Sequence, residues 1–219
     1  MAQIEGEFGP QGDFSSLGLA VQSHKEYEFS SRQSECDIKF KSTKPVKFTQ
    51  KLVNAKDEEN DLSNYVFSQR YDDSLHFCLH FPESGVYKFQ VFALPGDTKE
   101  SSLPNVFNYK INVEGICHAV HSFPKQYAQW KDGCSLVEPT VLNSNCSLTA
   151  VKFKVNIPNA KAAAVVINGS DWKHLEKSGS SFTGTYDLHK LRNSGAKITL
   201  NANFDEGSGS YPTLLEYKL

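Results

Sequence analysis

The stretch Leu75-His-Phe-Cys-Leu-His-Phe-Pro-Glu-Ser-Gly-Val-Tyr-Lys-Phe-Gln-Val-Phe-Ala93 decides how this chain is read. Leu75, Phe77, Leu79 and Phe81 alternate with His76, Cys78 and His80, the period of two that marks a half-buried strand. Pro82 and Gly85 then interrupt the run. Val86-Tyr87-Lys-Phe89-Gln-Val91-Phe92 opens a second strand. The segment is two strands joined by a corner.

Upstream, the same alternation predicts strands at Cys36–Phe40, Val46–Leu52 and Tyr65–Phe67, with a turn at Lys44-Pro45. Residues 54–63 form a charged loop, and residues 1–12 a flexible, Gly-rich arm. Downstream, Val106–Val113 closes a set of about seven strands with turn signals every ~8–12 residues. The tyrosine at position 87, just after a glycine at the start of the strand following a corner, resembles the tyrosine corner of immunoglobulin-like sandwiches.

Beyond Glu114-Gly115 the pattern restarts. Leu148–Ile157, Phe182–Tyr186, Ala196–Phe204 and Tyr211–Leu219 read as strands. Ala162–Ile167 suits a buried strand or a helix by itself, and the flanking Pro158-Asn159 and Asn168-Gly169 favour strand. Leu188–Arg192 suits one short helical turn. Cys36–Lys41 is echoed by Val151–Val155, and Phe107–Ile111 by Glu216–Leu219. The expectation is an all-β chain of two tandem immunoglobulin-like β-sandwich domains. They cover 13–114 and, with a connector at its start, 115–219.

The 219 residues are 39% hydrophobic, with 15 Phe, 9 Tyr and a single Met, which fills sheet cores more readily than helix stripes. A net charge of −2 leaves no basic field for nucleic acid, and no long basic amphipathic stretch suits a membrane surface. No apolar run approaches the ~18 residues of a membrane span. The first ten residues lack the basic and apolar regions of a signal peptide, so a cytoplasmic protein is expected unless a leader has been removed. Five scattered cysteines with no CxxC spacing suit reduced thiols. Asn145 and Asn168 each head a glycosylation sequon.

Four groups of residues suggest chemistry. His76, Cys78 and His80 share a strand face with side chains ~7 Å apart, so they are weak candidates for a metal site; without a fourth ligand, no metal or cofactor is assigned. Cys117, beside His118 and His121, offers a thiol near two imidazoles. Cys134 is the other candidate nucleophile, and no orienting carboxylate or oxyanion site is visible for either. Trp172, in a turn between strands, could stack on a sugar ring or cover its own core. Phe123, Tyr127 and Trp130 interleave with Lys125, Lys131 and Asp132 in a connector whose rings would pack on a neighbouring surface.

The segment Phe123–Pro139 resembles the region between the C-terminal modules of the kyphoscoliosis peptidase and hillarin family. The similarity extends to the Pro82–Ala93 corner and to the closing Leu-Leu-Glu-Tyr-Lys218. Members of that family carry a transglutaminase-like Cys-His-Asp domain upstream and are associated with the cytoskeleton, muscle maintenance and cytokinesis. No cysteine here opens the helix that such a nucleophile needs, so the resemblance implies the accessory modules and no catalytic role. It implies a cytoplasmic, cytoskeleton-associated adaptor with a protein partner, contacting it through sheet edges and the connector rings. A glycan ligand at Trp172 is the alternative, and a cysteine enzyme the second alternative.

Overall fold

The computed structural model describes residues 3–116 and 118–219. The chain forms two compact units: Met1–Ser68 with Asp72–Ser122, and Gln69–Tyr71 with Phe123–Leu219. Both are built of strands and short 3-10 turns.

In the first unit the strands are β1 (Gly9–Pro10), β2 (Leu19–Val21), β3 (Glu28–Ser31), β4 (Glu35–Ser42), β5 (Val46–Asn54), β6 (Val66–Tyr71, whose last three residues group with the second unit), β7 (Ser74–His80), β8 (Gly85–Pro95) and β9 (Asn105–Val113). One sheet runs β1-β9-β8-β5, with β3 lying parallel on β9; the other runs β2-β4-β7-β6. Alternation places Leu75, Phe77 and Leu79 of β7 and Tyr87, Phe89 and Val91 of β8 in the core at 0–1% exposure. Phe40, Phe77, Phe89 and Phe107 fill it edge-to-face, with ring centres 5.0–6.0 Å apart. Each such ring contributes about 1.5–3 kcal/mol by leaving water.

The tyrosine corner is present. The Tyr87 hydroxyl donates to the Glu83 carbonyl at 2.8 Å and accepts the Glu83 N–H at 3.4 Å. The segment 1–12, expected as a flexible arm, is held at two points among its described residues. Ile4 is buried, and Gly9 and Pro10 pair with Asn108 and Phe107 of β9. Ordering the backbone is offset there by strand pairing and by one aliphatic anchor. Residues 65–67 also differ from a simple strand: a 3-10 turn, Ser63–Tyr65, leads into β6.

The second unit contains β10 (Lys125–Gln126), β11 (Ser135–Glu138), β12 (Val151–Asn156), β13 (Ala162–Ile167), β14 (Asp171–His174), β15 (Glu176–Ser178), β16 (Ser181–Tyr186), β17 (Lys197–Asn203) and β18 (Thr213–Lys218). Its sheets run β10-β18-β17-β13-β14 and β11-β12-β16-β15. The order matches the first unit: β11-β12-β16-β15 answers β2-β4-β7-β6, and β18-β17-β13 answers β9-β8-β5. The echoed segments fall on equivalent strands, β4 with β12 and β9 with β18.

Two features of the second unit differ from the sequence reading. The connector is part of the fold, because Lys125–Gln126 and Ser135–Glu138 pair with β18 and β12 around a 3-10 turn at Ala128–Lys131. The supposed turn at Trp172 is the strand β14, which extends the sheet by one position beyond β13. Asn168 and Gly169, at φ +50° and +74°, take the left-handed conformations that reverse the chain between β13 and β14.

Candidate functional site

The site is the outer face of the sheet β10-β18-β17-β13-β14. Antiparallel pairing brings directly opposed residues to the same face. One row across the sheet is therefore Trp172, Val166, Thr199 and Glu216. The next row is His174, Ala164, Asn201 and Thr213. Ile167, Val165 and Ala163 alternate with these and pair with Ile198, Leu200 and Ala202 on the opposite face, an entirely apolar set that makes the core.

At the β14 end stand three rings. Trp172 is 42% exposed. Tyr211 meets it edge-on at 5.2 Å, and His174 lies nearly parallel to it at 6.3 Å. Tyr186 holds the strand end, donating from its hydroxyl to the His174 carbonyl at 2.8 Å. Gly184 permits this, since a Cβ there would lie 2.4 Å from that hydroxyl oxygen.

The floor beside the rings is small and uncharged: Ala164, Val166, Thr199 and Asn201 are all buried. The Asn201 Nδ2 donates to the Tyr211 carbonyl and to the Thr213 Oγ1, both at 3.0 Å. Its Oδ1 is buried with no hydrogen-bond donor among the described residues. Asn203 donates to the Ser208 and Ser210 carbonyls at 2.6 and 3.0 Å, tying down the β17–β18 loop that carries Tyr211.

The far end is charged and self-satisfied. Glu216 accepts from the Tyr127 hydroxyl at 2.7 Å and pairs with the Lys197 ammonium at 2.9 Å. Burial pushes the Glu216 carboxyl up, but the hydrogen bonds from Lys197 and Tyr127 outweigh it and leave it below its ordinary value. The Lys125 ammonium sits 4.9 Å from the Tyr127 ring centre.

The residues singled out in the sequence divide clearly. Trp172 belongs to this face, and Tyr127 lies at its charged end, half-buried. Phe123 and Trp130 are removed from any contact surface, because they are 8% and 0% exposed. Aromatic rings in a polar stretch look exposed in sequence, yet their large apolar area is buried as the chain enters its strands.

His76, Cys78 and His80 are half-buried and lie opposite Lys39, Asp37 and Glu35 of β4. The His80 Nδ1 donates to the His121 carbonyl at 2.8 Å, and its Nε2 lies 3.6 Å from Glu35. Burial, then Asp37, pushes the Cys78 thiol up to about 12. Among the described residues no group of three or more His, Cys, Asp or Glu is placed to hold a metal ion. Cys117 lies outside the described residues. Burial, then Asp132, pushes the Cys134 thiol up to about 12, opposite to what a nucleophile needs. The sequon asparagines occupy exposed turns, and the Asn168 Oδ1 accepts from the Lys197 N–H at 3.0 Å.

His174, Tyr211 and Asn201 escaped the sequence reading. The signal available for His174 was its spacing of two from Trp172, which puts both side chains on one face of a strand. Tyr211 and Asn201 carried no local signal, since Asn201 joins the row of His174 through the β13–β17 pairing and Tyr211 meets Trp172 from the following loop.

Comparison with known proteins places the chain more closely. No curated protein matches it. Among solved structures, a chimeric titin Z1Z2 carrying a KLER peptide from decorin is 12% identical, covering 88% of this chain and 90% of that chain at a TM-score of 0.26. A marsupial T cell receptor is 10% identical, covering 92% and 98% at 0.30. The titin domains Z1Z2 in complex with telethonin are 12% identical, covering 92% and 94% at 0.24. These likenesses are too loose to carry an argument about function. The model of the KY-like, immunoglobulin-like domain matches residues 1–124, more than half of the chain, and the chain therefore belongs to the family of KY-like immunoglobulin-like domains.

Proposed function

We propose that this protein is a non-catalytic adaptor that binds a protein partner through an open strand edge, acting in the cytoplasm at the cytoskeleton. The observation that carries the reading is the segment Asp171–Ser178. It holds β14 and β15, the terminal strands of the two sheets of the second unit, each paired on one side only among the described residues. Six of its eight residues are exposed, which leaves main-chain groups available to an added strand. Asp171, Lys173, Glu176 and Lys177 give that edge charges of both signs, which oppose indiscriminate self-pairing. The raised thiols of Cys36, Cys78 and Cys134 favour a binding role over cysteine chemistry.

The test uses the whole chain as immobilised bait on a cytoskeletal fraction, followed by titration of the purified partner. The expected result is saturable binding that weakens at least tenfold when Glu176→Lys and Lys177→Glu reverse the edge charges. Absence of a saturable protein partner, or an affinity indifferent to the reversal, would overturn the reading.

A further inference from the structure

We propose that two copies of this chain exchange their N-terminal arms, residues 3–10, so that each arm lies on the β8–β9 surface of the other copy. The first observation is how the arm is held. Ile4 is 4% exposed but stands outside the core cluster of the first unit. The other contacts come from the outward side of β8 and β9. The Lys88 Nζ donates to the Glu5 carbonyl at 3.2 Å, and the Asn108 Nδ2 to the Glu7 carbonyl at 3.0 Å. The Lys88 and Lys110 ammoniums lie 6.0 and 5.6 Å from the Phe8 ring centre. Gly9 and Pro10 then pair with Asn108 and Phe107 of β9. Further along, β3 covers Lys110–Val113 of the same strand. The arm can therefore leave without opening the core or freeing the whole edge.

The second observation is what its departure would leave behind. Lys88 and Lys110 stand directly opposite each other across the β8–β9 pair, and like charges so placed repel. Lys110 keeps Glu28 at 3.0 Å, whereas Lys88 loses both the Phe8 ring and the Glu5 carbonyl. The main chain of β9 at Phe107 and Asn108 becomes an unpaired edge. The vacated surface favours an occupant over water.

The third observation names the occupant. Gly9 has φ +99°, and a Cβ there would lie 2.5 Å from the Tyr27 ring. Gly6 has φ +129°, with a Cβ 2.9 Å from the Lys88 Nζ. The surface is thus fitted to an aliphatic anchor, a ring and two glycines in the order Ile4-Glu-Gly-Glu-Phe-Gly9, and a second copy carries that segment. Exchange repeats every contact between copies, so the hinge and the freedom lost on association set the balance. The hinge is Gly12, at φ +44°, directly after Gln11, whose N–H bonds the Val106 carbonyl at 2.7 Å. A glycine there passes between the turned form of the monomer and an extended form that reaches a neighbour.

The experiment measures the mass of the whole chain by light scattering across a wide concentration range. A photoreactive benzoylphenylalanine in place of Phe8 cross-links the arm to the surface it lies on. The proposal expects a reversible dimer in which that cross-link joins two chains. Deleting Gly12 denies the arm its turn back and shifts the balance at least tenfold toward dimer. Ile4→Ser combined with Phe8→Ser removes both anchors and shifts it at least tenfold toward monomer. Circular dichroism of each variant separates a change of assembly from loss of fold. The Glu176→Lys, Lys177→Glu variant leaves the dimer unchanged, so failure here and failure of the adaptor reading are distinguishable. A parent chain that stays monomeric at every concentration, a balance indifferent to deleting Gly12, a dimer whose cross-link stays within one chain, or a dimer abolished by the edge reversal would overturn the proposal.

Discussion

The Tyr87 hydroxyl donates across 2.8 Å to the carbonyl of Glu83, four residues upstream, and clasps the corner that leads into β8. The second unit has no such clasp. Phe89 pairs with Tyr109 as Ile198 of the equivalent strand β17 pairs with Tyr217, so the counterpart of Tyr87 is the buried Ala196, which has no hydroxyl to offer. Tyr217, on the last strand, donates to the Pro139 carbonyl at 2.9 Å. Its counterpart in the first unit is Tyr109 on the equivalent strand β9, which donates to the His24 carbonyl at 2.8 Å, so both units pin a loop by a buried phenol on the last strand and the first adds Tyr87.

Removing either hydroxyl leaves a carbonyl without its donor. Tyr87→Phe is expected to cost about 1–3 kcal/mol, as is Tyr217→Phe. Urea denaturation of the whole chain checks this. If the two units unfold separately, each variant shifts only its own transition.

Trp130 is completely buried, so Trp130→Ala is expected to cost about 3–5 kcal/mol. Trp172→Ala, at an exposed ring, is expected to change stability by less than about 1 kcal/mol. The same denaturation series separates the structural tryptophan from the surface one.

Glu216 gives a pH dependence with a defined sign. Burial raises its carboxyl, and Lys197 and Tyr127 more than reverse that, so the folded state holds its proton less tightly than the unfolded chain. The stabilising contribution is complete above the ordinary carboxylate range and is lost as pH falls through the folded value. Glu216→Gln is expected to be less stable than the parent at neutral pH, with the difference shrinking toward acid. Melting temperature against pH measures it.

Cys36, Cys78 and Cys134 all have thiols pushed up to about 12, chiefly by burial. At mildly alkaline pH the thiolate is the reactive form, so iodoacetamide should label these three positions at least tenfold more slowly in the folded chain than in denaturant. Peptide mapping by mass spectrometry reads each site.

Gly184, on β16, leaves room for the Tyr186 hydroxyl that holds the end of β14. Gly184→Ala places a methyl group against the Tyr186 hydroxyl and breaks its bond to the His174 carbonyl. Amide hydrogen exchange across residues 171–178 is expected to rise by roughly tenfold or more, as local opening becomes easier.

The sequence by itself determined the local structure. Alternation in Leu75–Phe81 and Val86–Phe92, the Pro and Gly breaks and the Gly85-Val86-Tyr87 corner are short-range patterns, and they read as strands in a sandwich because backbone geometry sets a side-chain period of two. It left β14 and β15 unread, because an exposed terminal strand has no buried side to impose that alternation. Tertiary structure alone decided the rest. Trp130 turned inward and Trp172 stayed out, although both rings stand among polar neighbours. Asn201 joined the row of His174, and Tyr211 met Trp172, through pairings between distant segments. Which segments pair, and which face of each pair meets water, follows from burying the apolar area of the whole unit at once, and no local window contains that sum.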